Sequence, residues 1–247
     1  MSHWSGPRMR KWIRIFIVLV TLEAVMGMSV PQKDVYIDPN LPGSLLKGRT
    51  VILDPGHGGK DPGARGLIAQ EDQVNLAVAL DLRQWLQDSG AKVKMTWEKP
   101  GQIPSFKKYR VYQRVKWINR TQGNALIDIH CNSAGSRWSG PQTFYWDGTS
   151  SYHLAYDVQK ELQYFTHTKR RVARIDQYVL RYARMPAINV ELGFISNPQE
   201  ERLLANPGYQ RELSWYIFLG IEQWFLKGRL PEHVLKSPPP GHLLIPG

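Results

Sequence analysis

Between Arg49 and Gly228, short β-rich runs alternate with longer runs of helical period, and this alternation leaves few folds open. The order is "TVIL", the helix "DQVNLAVALDLRQWLQDSG", "AKVKMTW", a basic helix within "KKYRVYQRVKWINR", "ALIDIH", "QTFYW", the helix "YHLAYDVQKELQYF", "PAINVEL", and a last helix from Pro207 to Lys227. Such a succession buries its apolar residues best as an α/β domain with a largely parallel sheet. In the first helix Val74, Ala77, Val78, Leu82 and Trp85 share one face, and Ser89-Gly90 supplies the stop. Asn206 is placed to cap the last helix, with Pro207 at its first position and Gly228 past its end. No repeat with a period of about 20–50 residues is present, so a single catalytic-size domain over residues 49–228 is expected.

Both ends of the chain differ from this middle. Arg8, Arg10, Lys11 and Arg14 precede the apolar run Ile15 to Leu22, the order of a secretory signal or signal anchor over residues 1–30. Taken to Val30 the apolar stretch would make a helix of about 24 Å, against a hydrocarbon core of about 30 Å. Glu23 interrupts it, while Gly27 and Ser29 offer small residues at a cleavage point, so both a cleaved leader and a retained anchor stay open. Residues 31–48 read as a Pro/Gly linker and residues 229–247 as a Pro-rich tail. The protein is expected outside the cytoplasmic membrane. The single cysteine, Cys131, rules out an internal disulfide framework. The net charge of +11 suits an anionic envelope, and no nucleic-acid-binding motif accompanies it. The densest basic run, residues 107–120, reads as an amphipathic helix with Val111, Val115 and Ile118 inward and a solvated cationic face.

Of seven histidines, only His57 and His130 directly follow apolar runs, "VILDPG" and "ALIDI". That places both at the carboxyl ends of strands, where open α/β sheets build their sites. Glu71 opens the first helix, a position that an acid also takes simply to complement the helix dipole. Glu191 sits in "PAINVELGF" between apolar neighbours, and a carboxylate turned into a core is costly unless it is paired or functional. Two histidines and a carboxylate make a catalytic-type zinc set with an open position for water, and a further carboxylate to handle that water's proton completes a metallohydrolase. The spacing alone is not diagnostic, since the chain has no H-E-x-x-H, C-x-x-C or G-x-S-x-G.

Four segments in order, "DPGHGGKDPGA", "QEDQVNLAVAL", "IDIHCNSA" and "PAINVELGFISNPQE", resemble the zinc-dependent type 3 family of N-acetylmuramoyl-L-alanine amidases. The length, leader and "RVKWIN" segment most resemble its spore-cortex, germination-type branch. The resemblance implies a three-layer, about six-stranded zinc-exopeptidase-like fold, one Zn2+ held by His57, Glu71 and His130, and Glu191 as general base and acid. It implies peptidoglycan as substrate, cut between N-acetylmuramic acid and L-alanine, a role in muramic lactam formation in the spore cortex, and a membrane or lipoprotein partner. A zinc carboxypeptidase acting on wall peptides and an inactive wall-binding homologue are the alternatives. The chain departs from the family at Trp97, where an arginine is usual, and at Asp128, where a small serine is usual. Asp128 shares a strand face with His130 and is placed to support it, whereas Cys131 points the other way. The stretch "GSRWSGPQTFYW" is too short for the inhibitory helix of some family members.

Overall fold

The computed structural model describes residues 45–100, 102 and 111–226. The expected leader, most of the linker, the start of the basic run and the Pro-rich tail lie outside the described residues. Twelve elements follow one another: β1 (Thr50–Pro55), α1 (Glu71–Asp88), β2 (Lys92–Met95), α2 (Val111–Thr121), β3 (Ala125–Asn132), β4 (Gln142–Tyr145), α3 (Thr149–Thr166), β5 (Ala173–Arg174), α4 (Tyr178–Tyr182), β6 (Ala187–Phe194), α5 (Pro198–Leu204) and α6 (Pro207–Leu226). They form one six-stranded sheet in the order β2-β1-β3-β6-β4-β5. The first four strands in that order are parallel, and β4 runs antiparallel to β6.

Alternation along the strands builds three layers. Leu53, Ile127, Ile129, Ile188 and Val190 are buried on one face in the core that also holds residues of α1, α3 and α6. On the other face Ile52, Leu126 and Ala187 pack with Val115 and Ile118 of α2 and Val179 and Leu180 of α4. This second face changes character toward the carboxyl ends of its strands. The next residues in register are Asp54, Asp128 and Asn189, and beyond them stand His130 and Glu191. One sheet face is thus an apolar core at one end and a polar site at the other.

Several expectations hold, and others need correction. The Asn206 side chain accepts the backbone N–H of Gly208 at 2.8 Å, and Gly90 ends α1 with φ +87. Leu46, read as linker, is fully buried in the core and its N–H bonds the Ser89 carbonyl at 2.8 Å, so packing begins before Arg49. Val111 is exposed and does not join the inward stripe of α2. Arg114 does: its side chain is only 14% exposed and turns under the sheet end, so the cationic face of α2 is not wholly solvated. The short elements β5, α4 and α5 have no counterpart in the expected order.

Trp97, at 1% exposure, braces the end of β1. Its indole N–H donates to the Pro55 carbonyl at 2.7 Å, and a Cβ on Gly58 would meet its ring at 2.7 Å. Trp97→Ala is expected to destabilise the protein by about 3–5 kcal/mol, the usual range for emptying a buried aromatic site. Trp97→Phe, which keeps most of the volume and loses the hydrogen bond, should cost about 1–3 kcal/mol. Urea unfolding curves of the two variants test this order.

Candidate metal centre

The turn after β1 is shaped for close approach. Gly56 takes its N–H to the Ile129 carbonyl at 2.8 Å, and any Cβ there would run into the His130 ring. His57 itself lies in the left-handed region at φ +62, uncommon for a residue with a side chain and often found where a site over-determines the backbone. Gly63, at φ +66, passes so near that an added Cβ would come within 2.6 Å of both the Glu71 carboxylate and the His57 ring.

The three candidate ligands converge. Glu71 Oε1 is 3.1 Å from His57 Nε2 and 3.0 Å from His130 Nδ1, and the three donor atoms all lie within 4.8 Å of one another. Tetrahedral zinc with bonds of about 2.0–2.1 Å would separate its ligand atoms by roughly 3.3 Å, so this donor set fits such an ion with little movement. Glu71 does not cap its own helix. Its Oε1 also accepts the Cys131 N–H at 3.1 Å, and its Oε2 accepts the Ala64 N–H at 2.8 Å.

Each imidazole is held from behind by a second carboxylate. His57 Nδ1 bonds Asp61 Oδ2 at 2.9 Å, while His130 Nε2 lies at the longer ion-pair distance of 3.4 Å from Asp128 Oδ1. The Gln177 side chain donates to the other Asp128 oxygen at 3.0 Å. Burial alone would lower both histidine pKa values. Glu71 and Asp61 overcome this and raise His57, and Asp128 with Glu71 raises His130 well above its ordinary value. Burial opposes the charge on Glu71 too, yet the two imidazoles and the Ala64 N–H pull its carboxyl far below the usual range.

Glu191 stands directly across from His130 on the neighbouring strand. Burial pushes its carboxyl up, against the pull of His130 and Asn189. The Asn189 amide donates to Oε1 at 3.0 Å, while Oε2 accepts no hydrogen bond among the described residues. The carboxylate is therefore fixed by one oxygen, while the other is buried and left without a partner among the described residues.

Several supporting groups were not singled out in the sequence. Arg114 lies 3.4 Å from Asp54 Oδ1 and donates to the His57 carbonyl at 2.9 Å, tying α2 to the turn. Its position, three residues after Val111 and next to Val115, was the available signal. Burial pushes the Asp54 carboxyl up to about 6 despite Arg114 and the Thr96 hydroxyl, which donates at 2.6 Å; neighbouring Asp128 adds to the rise. Across the site Glu201 Oε1 accepts the N–H groups of Ile68 at 2.6 Å and Ala69 at 2.9 Å, pinning the loop that leads into Glu71. Cys131 turns to the opposite side, with its thiol 3.5 Å from the Asn75 side-chain oxygen.

Residues 51–223 match the family model described as N-acetylmuramoyl-L-alanine amidase. The chain is 34% identical over 235 residues to the germination-specific N-acetylmuramoyl-L-alanine amidase of Bacillus subtilis, covering 90% of this chain and 98% of that one. It is 31% identical to the probable cell wall amidase LytH of Staphylococcus epidermidis, over 88% of this chain and 72% of that protein. Among solved structures it is similar to the CwlD amidase of Clostridioides difficile in complex with the GerS lipoprotein, with TM-score 0.67 and 34% identity over 71% of this chain and 98% of that one. It is likewise similar to the amidase AmiC2 of Nostoc punctiforme, with TM-score 0.65 and 32% identity over 72% of this chain and 98% of that one. A six-stranded α/β domain with a His-Glu-His cluster at its strand ends and this extent of similarity belongs to the N-acetylmuramoyl-L-alanine amidase family of peptidoglycan hydrolases.

Proposed function

We propose that the chain is a zinc enzyme in which His57, Glu71 and His130 hold the metal and Glu191 moves the proton. It cleaves the amide between the lactyl group of N-acetylmuramic acid and L-alanine, outside the cytoplasmic membrane, with residues 1–30 as the export signal or anchor. The observation that carries this reading is the single Glu71 oxygen within 3.1 Å of both imidazoles, with a Glu191 carboxylate oxygen buried and unpaired on the adjoining strand. The germination-specific relative supports a place in spore-cortex maturation, where muramic acid stripped of its peptide goes on to the lactam. The similarity to an amidase solved with a lipoprotein supports a partner of that kind.

Zinc in such a site polarises the scissile carbonyl and lowers the pKa of water to about 7. Glu191 Oε2 takes the proton from the attacking water and returns it to the leaving amine, and the burial that raises its carboxyl pKa makes it a stronger base than an exposed glutamate. Asn189 keeps the other oxygen occupied, so one proton path is defined. Asp61 bonds His57 Nδ1 and Asp128 approaches His130 Nε2, which would leave Nε2 of His57 and Nδ1 of His130 as the nitrogens to hold a metal.

Glu191→Gln is expected to lower kcat by about 10²- to 10⁴-fold while binding one zinc per chain. Mass spectrometry of digested peptidoglycan and metal analysis of the purified variant read the two quantities separately. Loss of zinc would make Glu191 a ligand; full activity would sink the proposed mechanism.

His130→Ala should lose most zinc affinity, with His153→Ala as the control that retains it. Asp128→Asn should weaken zinc by about 10- to 100-fold in chelator competition, the usual cost of removing the carboxylate behind a ligating histidine.

Because the carboxylates around them raise the pKa values of both histidines, protons compete with zinc for these nitrogens as the pH falls. Affinity is expected to rise with pH until those raised values are passed and to fall steadily below them. Titration calorimetry in buffers of different ionisation enthalpy measures the released protons. Zinc affinity that does not weaken as the pH falls through the histidine range would count against this ligand set.

A further inference from the structure

We infer that Arg170, braced by Phe194 and Trp138, forms a carboxylate-binding subsite for the stem peptide on the β4 side of Glu191. The inference rests on the amidase reading and adds the direction in which substrate lies. The row that carries His130 and Glu191 continues onto β4, where Gln142 is the register partner of Glu191. Side chains of directly opposed residues begin about 4.5–5.5 Å apart, so Gln142 is the next polar group along the cleft. A register shift after His130 pairs Asn132 with Phe194 and so brings Phe194 to the same face as Glu191. The Arg170 guanidinium lies 4.4 Å from the centroid of the Phe194 ring and 5.5 Å from that of Trp138.

Two neutral acceptors hold the fork. Arg170 Nε donates to the Ser139 carbonyl at 2.7 Å and Nη1 to Gln142 Oε1 at 3.0 Å. Neither Arg170 nor Arg137, which lies 5.6 Å over the same Trp138 ring, enters an ion pair among the described residues. Two guanidinium groups are thus gathered on one half-exposed indole without an ion-pair partner, while the neighbouring Glu200 carboxylate is taken up by the N–H groups of Gly140 and Phe194. A planar fork fixed by aromatic stacking and neutral hydrogen bonds is matched to a carboxylate. The stem peptide supplies carboxylates within a few bonds of the scissile amide. The peptide therefore lies over β4 and the glycan over the β1 side of the metal.

The test uses the zinc-loaded full chain and two synthetic disaccharide-peptides that differ only at the second stem residue, which carries a free carboxylate in one and a carboxamide in the other. The wild-type protein is expected to prefer the carboxylate by about tenfold or more in kcat/KM, as one charge-assisted hydrogen-bonded pair allows. Arg170→Met should bring that ratio close to one, and Arg170→Lys should keep part of it through charge without the fork. The ratio is taken within each variant, so general loosening around Ser139 cancels. A wild-type ratio near one, or an unchanged ratio in Arg170→Met, overturns the inference. A wild-type protein that cuts neither substrate at the glycan–peptide amide overturns the amidase reading instead.

Discussion

A single carboxylate oxygen, Glu71 Oε1, organises this molecule. It meets two imidazoles and one backbone N–H, from a turn after β1 and from β3. Those groups can meet only if β1 and β3 are parallel neighbours and α1 starts above their carboxyl ends. The anion is buried at 3% exposure, a costly placement for an unpaired charge. The same burial makes the contact with protons or a metal strong, since little water screens it. Fold and site are thus two aspects of one requirement: cationic partners have to be brought to an acid that water cannot reach.

The sheet meets this requirement by changing the chemistry of one face along its length. Ile52, Leu126 and Ala187 fill the space under α2 and α4, and two residues further on the same rows hold Asp54, Asp128 and Asn189. Burying two adjacent carboxylates is offset only in part. Arg114 approaches one, Thr96 and Gln177 donate to them, and Asp54 is still left with a carboxyl that titrates at about 6. Trp97 takes no part in that charge balance and instead props the β1 turn by packing and one hydrogen bond.

The main strands and the long helices were legible because each repeats its period over several turns or pleats. His57, His130 and Glu191 were legible because each polar side chain follows or interrupts an apolar run. The short pieces were not, since two residues of β5 or five of α4 carry too little period to read. Asn197-Pro198 is the cap signal of α5, where the Asn197 side chain accepts the Gln199 N–H at 2.9 Å, but seven residues carry too little period to mark a helix by themselves. Glu71 shows the limit in another way. Its place at a helix start has a sufficient local explanation, and only its contacts across 59 residues of sequence reveal that the side chain turns away from its own helix. Arg114 was hidden by its company, one cation in a run of cations, and distinguished only by its turn toward Asp54.

The loop in front of Glu71 is held by an acid that appears very late in the chain. Glu201 fixes the N–H groups of Ile68 and Ala69 from more than 130 residues away, and Gly66 has no side chain because the Glu201 carboxylate occupies that space. Local bonds such as Ala64 N–H to Glu71 shape this loop, and without α5 it lacks the one long-range anchor that Glu201 supplies. Loop closure over such a distance is a late event in folding. The complete arrangement around Glu71 therefore draws on residues from near the start of the domain and from α5 alike, so the C-terminal third of the polypeptide takes part in shaping the cleft.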